Sequence, residues 1–386
     1  MFDVTFVLPG LVPAGGVRAV FEISDHLLAT GRQTRIVVPK RSLLPNGRGV
    51  AAQAARLAPR PFGPAAQRLA PRRAIAQDWF PLQTPLSGAG IPLWRDVPPS
   101  RVVVATSWRT AEEILRSREV ASRAVYFLQH HETWSGPARR VDATWEALER
   151  MVVSSEWLRS MAVERFGKRD VRLAVYGYDP ATFSPRPGPE PGSGPGSGTG
   201  FGEGRDRIAD ADRDVPVVGF MSDDRKWKGG ADILAALGRI RATRRIEVRT
   251  FGLGRSVLPS WVRSAGVLSG QALADFYRSL DVFVSGSWEE SGPMTVPEAM
   301  ACGVPVVSTD VGNVRLWSQD GAACRIVAPR DVQGLTASIE GLLADPGEAR
   351  RVGAAGATAI APFTWESMAR SFDEALVAFG LLEPLA

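Results

Sequence analysis

Two stretches of alternating strand-like and helix-like pattern, separated by a Pro/Gly/Ser-rich break at residues 185–213, predict an α/β protein of two Rossmann-like domains whose parallel sheets face a central cleft. Three observations carry that expectation. Short apolar runs (residues 4–8, 102–105, 124–128 and 282–284) lead into polar or Gly-containing loops and then into segments with apolar residues at helical spacing. The same pattern restarts after the break. The break itself, Pro187-Gly-Pro-Glu-Pro-Gly-Ser-Gly-Pro-Gly-Ser-Gly-Thr-Gly200, cannot bury a core and reads as a flexible linker or surface loop. The expected division is a first domain over 1–184, the linker over 185–213, a second domain over 214–363, and a C-terminal helix within 364–386 that crosses back to the first domain.

At 386 residues the chain has room for two substantial cores. Apolar residues make up 45% and charged residues 23%, the balance of a soluble globular protein rather than a disordered one. Two cysteines, Cys302 and Cys324, are too few for a disulfide framework, which points to a reducing, cytoplasmic compartment. Cys302 ends the apolar run Ala-Met-Ala-Cys and reads as a small core residue. The scattered histidines and cysteines form no metal-binding pattern, so no metal or resident cofactor is expected. The start, Met1-Phe-Asp-Val-Thr-Phe-Val-Leu-Pro9, lacks a basic region, and Pro9-Gly10 cuts its apolar run too soon for a signal peptide. No run approaches the ~20 apolar residues that span a bilayer. A net charge of +5 is modest at this length, and no nucleic-acid partner is expected.

In chain order, residues 4–8 are the first strand. A loop ending in Gly15-Gly16 follows. Residues 17–30 then place Val17, Val20, Phe21, Ile23, Leu27 and Leu28 on a helical face, with Gly31 as the stop. Residues 34–38 complete a β-loop-α-β unit. Gly15 and Gly16 sit where a ligand can meet a helix N-terminus, although a Gly pair there is also an ordinary tight turn. Residues 40–77 then carry Lys40, Arg41, Arg48, Arg56, Arg60, Arg68, Arg72 and Arg73 without one acid, interleaved with Leu57, Phe62, Leu69 and Ile75. Two readings stand. One is an interfacial segment for anionic lipid or an anionic acceptor, which gives peripheral contact at the inner face of the membrane. The other is a solvated connection. Pro59, Pro61, Pro64 and Pro71 rule out one long amphipathic helix.

Residues 101–106 form a strand, 110–118 a helix and 124–128 another strand. This last strand delivers Gln129-His130-His131-Glu132-Thr133-Trp134 at its C-terminal end, where α/β ligand sites lie. Adjacent histidines there also fit plain loop residues. A helix over 141–150, a strand over 152–154, a helix over 156–166 capped by Ser155, and a strand over 171–175 close the first half. After the break come a strand over 215–221, the basic loop Ser222-Asp-Asp-Arg-Lys-Trp-Lys-Gly-Gly230, a helix over 231–241, a strand over 246–251 and a helix over 273–279. Helices over 332–343, 348–359 and 365–381 end the chain.

Between these elements lies the stretch of most chemical interest. Residues 282–284 form a buried strand. Residues 285–295 are a loop of mostly small residues, with Glu290 within it. Pro297-Glu-Ala-Met-Ala-Cys302 opens with Pro at a helix start and ends at Gly303, and 304–307 is a second buried strand. Glu290 sits on the loop and Glu298 in the first helical turn. A short Gly-containing loop feeding a helix start offers backbone N–H groups to an anion, and the carboxylates suit a polyol. A phosphate joined to a sugar satisfies both.

With these residues assembled, the chain resembles the retaining family-4 glycosyltransferases of the GT-B fold along nearly its whole length. Glu290 and Glu298 match the family's pair of glutamates separated by seven residues, and Pro297-Glu-Ala-Met-Ala-Cys-Gly-Val-Pro-Val-Val307 matches its most recognisable part. Lys228-Gly229, Leu280-Asp281-Val-Phe-Val-Ser285 and Gly15-Gly16-Val-Arg18 match further motifs. Gln129-His130-His131-Glu132 is similar to a Gln-His-Tyr-Glu form of bacterial members. Tyr176-Gly-Tyr-Asp179 and Phe183-Ser-Pro185 stand where members carry Asn-Gly-Val-Asp and Phe-x-Pro.

The resemblance implies transfer of a hexosyl or deoxyhexosyl unit from a nucleotide-diphosphate sugar, with retention and without a metal. The acceptor class is a glycan, a lipid-linked molecule or a natural product. Lys228, Arg225 and the backbone of Ser291, Gly292, Pro293, Met294 and Thr295 would hold the diphosphate. Glu290 would bond sugar hydroxyls, Glu298 the ribose diol, and the backbone near Leu268 the nucleobase. His130 would touch the sugar, and the Gly15 and Gly16 amides would approach the sugar-phosphate. Glu290 and His130 are the expected catalytic residues, and His131, Glu132 and Trp134 the acceptor-side residues. The chain departs from the family at Gly219-Phe220, where many members have Gly-Arg, with Arg225 the candidate to compensate. It departs again at Glu290-Ser-Gly-Pro-Met294, beside the sugar, and Arg315 lies where a Glu is often found. The alternatives are a non-catalytic GT-B binding or partner subunit and a nucleotide-sugar epimerase. An ordinary dinucleotide dehydrogenase is disfavoured, because the first loop has no Gly-x-Gly-x-x-Gly.

Overall fold

The computed structural model describes residues 1–11, 14–40, 43, 80–185, 215–254 and 256–385. Most of the basic segment 40–77 and the Pro/Gly/Ser-rich stretch beyond Pro185 therefore lie outside the described residues. The chain divides into two compact units, Met1–Gly177 with Trp365–Ala386, and Tyr178–Thr364.

The first unit is a seven-stranded sheet with every recorded pairing parallel, in the order β3-β2-β1-β4-β5-β6-β7. Its strands are β1 Phe2–Val7, β2 Thr34–Pro39, β3 Leu86–Ala89, β4 Ser100–Ala105, β5 Ala124–Leu128, β6 Met151–Val153 and β7 Val171–Leu173. Strands buried on both faces need continuous apolar runs, which explains Val102-Val-Val-Ala105 and Ala124-Val-Tyr-Phe-Leu128. Helix α1, Gly15–Ala29, begins on the glycine pair itself, two residues before the apolar pattern, and buries Val17, Val20, Phe21, Ile23 and Leu27. Helix α2, Trp108–Leu115, starts with a capping box in which the Ser107 hydroxyl accepts from Thr110 N–H. Three further short helices follow in this half: α3 Arg118–Ser122, α4 Ala138–Ala147 and α5 Glu156–Ser160, the last running into a π turn over Met161–Arg165.

The C-terminal helix Trp365–Ala378 packs within this first unit. Its Phe372 ring lies 5.5 Å from Phe6 and 5.3 Å from Phe127. Its Asp373 receives two 2.9 Å hydrogen bonds from Arg32, a guanidinium only 7% exposed. A nearly buried charge is tolerable only with such a two-pronged partner.

The second unit is a six-stranded sheet, also parallel in every recorded pairing, ordered β10-β9-β8-β11-β12-β13. The strands are β8 Val217–Ser222, β9 Glu247–Gly252, β10 Val262–Ser264, β11 Val282–Ser285, β12 Val306–Thr309 and β13 Arg325–Val327. Its helices are α6 Gly230–Thr243, α7 Gly270–Arg278, α8 Thr295–Ala301, α9 Val314–Trp317, α10 Val332–Ala344 and α11 Pro346–Ile360. Residues 178–185 pack with this unit. Tyr178 N–H donates to Phe363 O at 3.1 Å, and Arg278 Nε donates to Ser184 O at 2.8 Å.

The apolar pattern did not reveal β3, β10 or β13, and each is an outer strand of its sheet. Outer strands need only one partner and one covered face, so short sequences such as Leu86-Ser-Gly-Ala89 and Val262-Arg-Ser264 suffice. Among the described residues no helix is long and apolar enough to cross a membrane.

Candidate active site

In the second sheet the strand order reverses between β8 and β11, so the loops leaving these strands share one crevice at the strands' C-terminal ends. The loop after β8 carries Lys228, on a single turn over Lys226–Lys228. The loop after β11 carries Glu290. Lys228 Nζ lies 2.9 Å from Glu290 Oε2, and each side chain is 13% exposed. Ser287 Oγ donates to the other carboxylate oxygen, Oε1. Met221, Ile233, Ser287 and Thr295 join Lys228 and Glu290 in lining a pocket here.

Two glycines let the chain passages come this close. Gly229 has φ +67°, and a Cβ on it would overlap the Gly286 carbonyl oxygen. Gly312 has φ +55°, and a Cβ on it would overlap the Ser291 carbonyl oxygen. Thr309 Oγ1 adds a 2.6 Å hydrogen bond to Ser287 O. The loop is thus held at its start by β8's loop and at its end by β12's.

Ser291, Gly292 and Pro293 are buried, whereas Met294 and Thr295 are half-buried. Helix α8 begins at Thr295, two residues earlier than the sequence pattern implied, so Pro297 falls at its third position. Proline is harmless there, because that N–H has no intrahelical acceptor. Glu298 is 7% exposed, and Tyr277 OH donates to its Oε2 at 3.0 Å. Burial, followed by the charge of Glu298, pushes the Tyr277 hydroxyl well above its ordinary range, so it stays a donor. Burial also pushes the Cys302 and Cys324 thiols up to about 12, as fits core residues.

The structure does not bring every expected donor-side residue to this pocket. Arg225 turns to Asp223, with Nε 2.8 Å from Oδ1. That hydrogen bond raises the guanidinium's pKa. Burial lifts Asp223, but the bonds and charge of Arg225 more than offset it and leave the carboxyl below its usual value. Leu268 is half-buried in the loop after β10, next to Val267, which is 51% exposed. Arg315 is paired with Asp310 at 2.6 Å. Sequence reasoning missed Ser287, Trp288 and Thr309. For Ser287 the available signal was a hydroxyl three residues before Glu290; no sequence spacing relates Thr309 to that loop.

The first unit gathers its own set of expected residues at the reversal between β1 and β4. Gly15 and Gly16 open α1, and a Cβ on Gly16 would lie 3.0 Å from Gln129 Oε1, which accepts from Tyr176 OH at 2.9 Å. His130 leaves β5 with its ring edge-to-face against Trp157 at 5.6 Å and Trp134 at 6.4 Å. Trp134 is 55% exposed. Glu132 Oε2 accepts from Trp108 N–H at 2.8 Å, at the start of α2. Burial pushes the Glu132 carboxyl up to about 7, while the Trp108 N–H and Arg109 hold it from rising further. His131 does not stand on the acceptor side. It is 7% exposed, its Nε2 shares a 2.7 Å hydrogen bond with Asp142, and its ring packs on Trp145 and Phe166. Asp142 satisfies its polar edge and the aromatic rings cover the rest, so it is a core residue.

Comparison with known proteins agrees with this geometry. Residues 213–345, which hold both Lys228 and Glu290, match the family described as glycosyl transferases group 1. The chain is 32% identical over 166 residues to an MMP alpha-(1->4)-mannosyltransferase of Mycolicibacterium hassiacum, 40% of each chain. It is 41% identical over 115 residues to a GDP-mannose-dependent alpha-mannosyltransferase of Mycolicibacterium smegmatis, 29% of each. The first match thus spans two fifths of the curated relative's length, and the second less than a third. In structure, the Anabaena HepE protein in complex with UDP-glucose superposes with a TM-score of 0.69, covering 98% of this chain and 100% of that one at 14% identity. Sucrose-phosphate synthase from Thermosynechococcus elongatus gives 0.69 over 98% and 99% at 16% identity. The fold is that of the GT-B glycosyltransferases, two Rossmann-like domains each built on a parallel sheet.

Proposed function

We propose that this protein is a glycosyltransferase that moves a sugar from a nucleotide-diphosphate sugar to a glycan, lipid-linked or natural-product acceptor, with retention and without a metal. One observation carries the reading. An ammonium and a carboxylate, Lys228 and Glu290, converge on one pocket at the β8/β11 reversal, within the segment that matches glycosyl transferases group 1.

In this reading the donor's diphosphate draws Lys228 away from Glu290, and the backbone N–H groups of residues 291, 292, 294 and 295 assist. The freed Glu290 carboxylate accepts hydrogen bonds from sugar hydroxyls, still oriented by Ser287, and Glu298 binds the ribose diol. The bond from the anomeric carbon to the diphosphate oxygen breaks as the acceptor oxygen forms its bond on the same face. The acceptor's proton passes to the departing phosphate oxygen, so no protein base is required. Lys228 then stabilises the charge that grows on the leaving group, a preorganised contribution of about 10²–10³ in rate. In the first unit, His130, Trp134 and Glu132 are the candidates for sugar and acceptor contact.

The relatives direct the choice of donors, since one of them uses GDP-mannose and one structural neighbour holds UDP-glucose. The test is release of nucleotide diphosphate from a panel containing both. Glu290→Ala should abolish release, the product should keep the donor's anomeric configuration by NMR, and EDTA should leave the rate unchanged. No release and no binding with any donor would refute the proposal. Binding without transfer to any acceptor or water would point to a binding subunit.

A further inference from the structure

Arg330 holds a left-handed backbone, φ +66°, on the loop between β13 and α10. For a residue with a Cβ this conformation costs free energy, and it persists only where something else holds it. Part of the hold is a backbone turn, in which Asp331 N–H donates to Ala328 O at 3.2 Å across Pro329 and Arg330, and the side chain supplies a further contact. Its guanidinium lies over the Trp288 indole, 4.3 Å from the ring centroid. Trp288 is fixed on two further sides. Its Nε1 donates to Asp232 Oδ2 at 2.6 Å, and its backbone N–H donates to Trp227 O at 2.6 Å.

These contacts join three chain passages around one ring. Asp232 lies in the first turn of α6, Trp227 is next to Lys228, and Trp288 lies between Ser287 and Glu290. Trp288 thus ties the backbone beside Lys228 to the loop that carries Glu290. Resting on the donor-site reading above, we infer that Arg330 is a positioning residue for the donor site. It clamps Trp288 so that Glu290 and Lys228 keep their spacing, and the left-handed backbone is retained for that side chain.

The experiment compares wild type with Arg330→Gly, Arg330→Lys and Trp288→Phe. Glycine removes the backbone penalty together with the stack. Lysine keeps a cation, and phenylalanine identifies the Trp288 indole N–H in the spectrum of ¹⁵N-tryptophan-labelled protein by its loss. In Arg330→Gly the thermal midpoint should match or exceed wild type, while the Trp288 indole N–H exchanges faster with solvent. Donor kcat/KM, with GDP-mannose or UDP-glucose as probe, should fall about two- to fivefold, the scale of one exposed cation–π contact. Arg330→Lys should recover part of that loss.

A lowered midpoint in Arg330→Gly would make the contact structural and overturn the inference. So would unchanged indole exchange, or unchanged donor kinetics in an active protein. If wild type neither binds nor turns over any nucleotide sugar, the donor-site reading falls, and with it the donor role of Arg330. Indole exchange would then still decide whether Arg330 holds the loop.

Discussion

Lys228 and Glu290 neutralise each other at 2.9 Å, so a diphosphate entering the pocket competes with a carboxylate for the ammonium. Lys228→Met should lower the rate of nucleotide diphosphate release about 10²–10³-fold, read as kcat at saturating donor. A change below tenfold would show that the leaving group's charge is met elsewhere. Glu132 supplies a second prediction at this scale. Its folded carboxyl, at about 7, holds its proton more tightly than the ordinary 4.5. Between those values folding takes up a proton, so Glu132 makes the first unit less stable as pH rises through that window. Urea midpoints at about pH 5 and about pH 8 should therefore diverge more in wild type than in Glu132→Gln. Equal divergence would mean that Glu132 is not a source of the effect. Lys228 and Glu290, which the structure brings together, were expected from the family resemblance of their motifs, and Pro297 and Gly303 marked the helix that carries Glu298. The burial of His131 was not legible in the sequence. It depends on Asp142, Trp145 and Phe166, whose meeting with His131 no local pattern records.

Among the elements, the C-terminal helix offers the sharpest test. Phe372 is fully buried against Phe6 and Phe127, so Phe372→Ala should destabilise the first unit by about 3–5 kcal/mol. Denaturant unfolding followed by circular dichroism would show it, and a loss under 1 kcal/mol would mean that the helix is not integral to that core. The central strands and long helices were legible because they are buried on both faces or along one stripe. Of the outer strands only β7 was, since Leu86-Ser-Gly-Ala89 and Arg325-Ile-Val327 carry too few apolar residues to rise above a loop. The start of α8 was also displaced, because a proline is as comfortable at the third helical position as at the first.

For the molecule as a whole, two compact units imply two unfolding events that ligands can separate. A nucleotide diphosphate at about 100 times its Kd should stabilise the unit it binds by about 2.7 kcal/mol. Calorimetry with GDP or UDP should therefore raise the transition of Tyr178–Thr364 more than that of the other unit. An equal rise in both, or none, would argue against a donor site carried mainly by the second unit.

The placement of the final helix also orders events during synthesis. Tyr178–Thr364 leaves the ribosome whole, as one contiguous stretch, whereas the first unit waits for Trp365–Ala378. That delay is roughly 190 residues, or about 10–40 s at bacterial translation rates. Throughout it, Phe6 and Phe127 lack the Phe372 ring that covers them in the finished protein. While the second unit is still being made, the apolar surface of the first stays open on the nascent chain, and that surface is where a chaperone should be found.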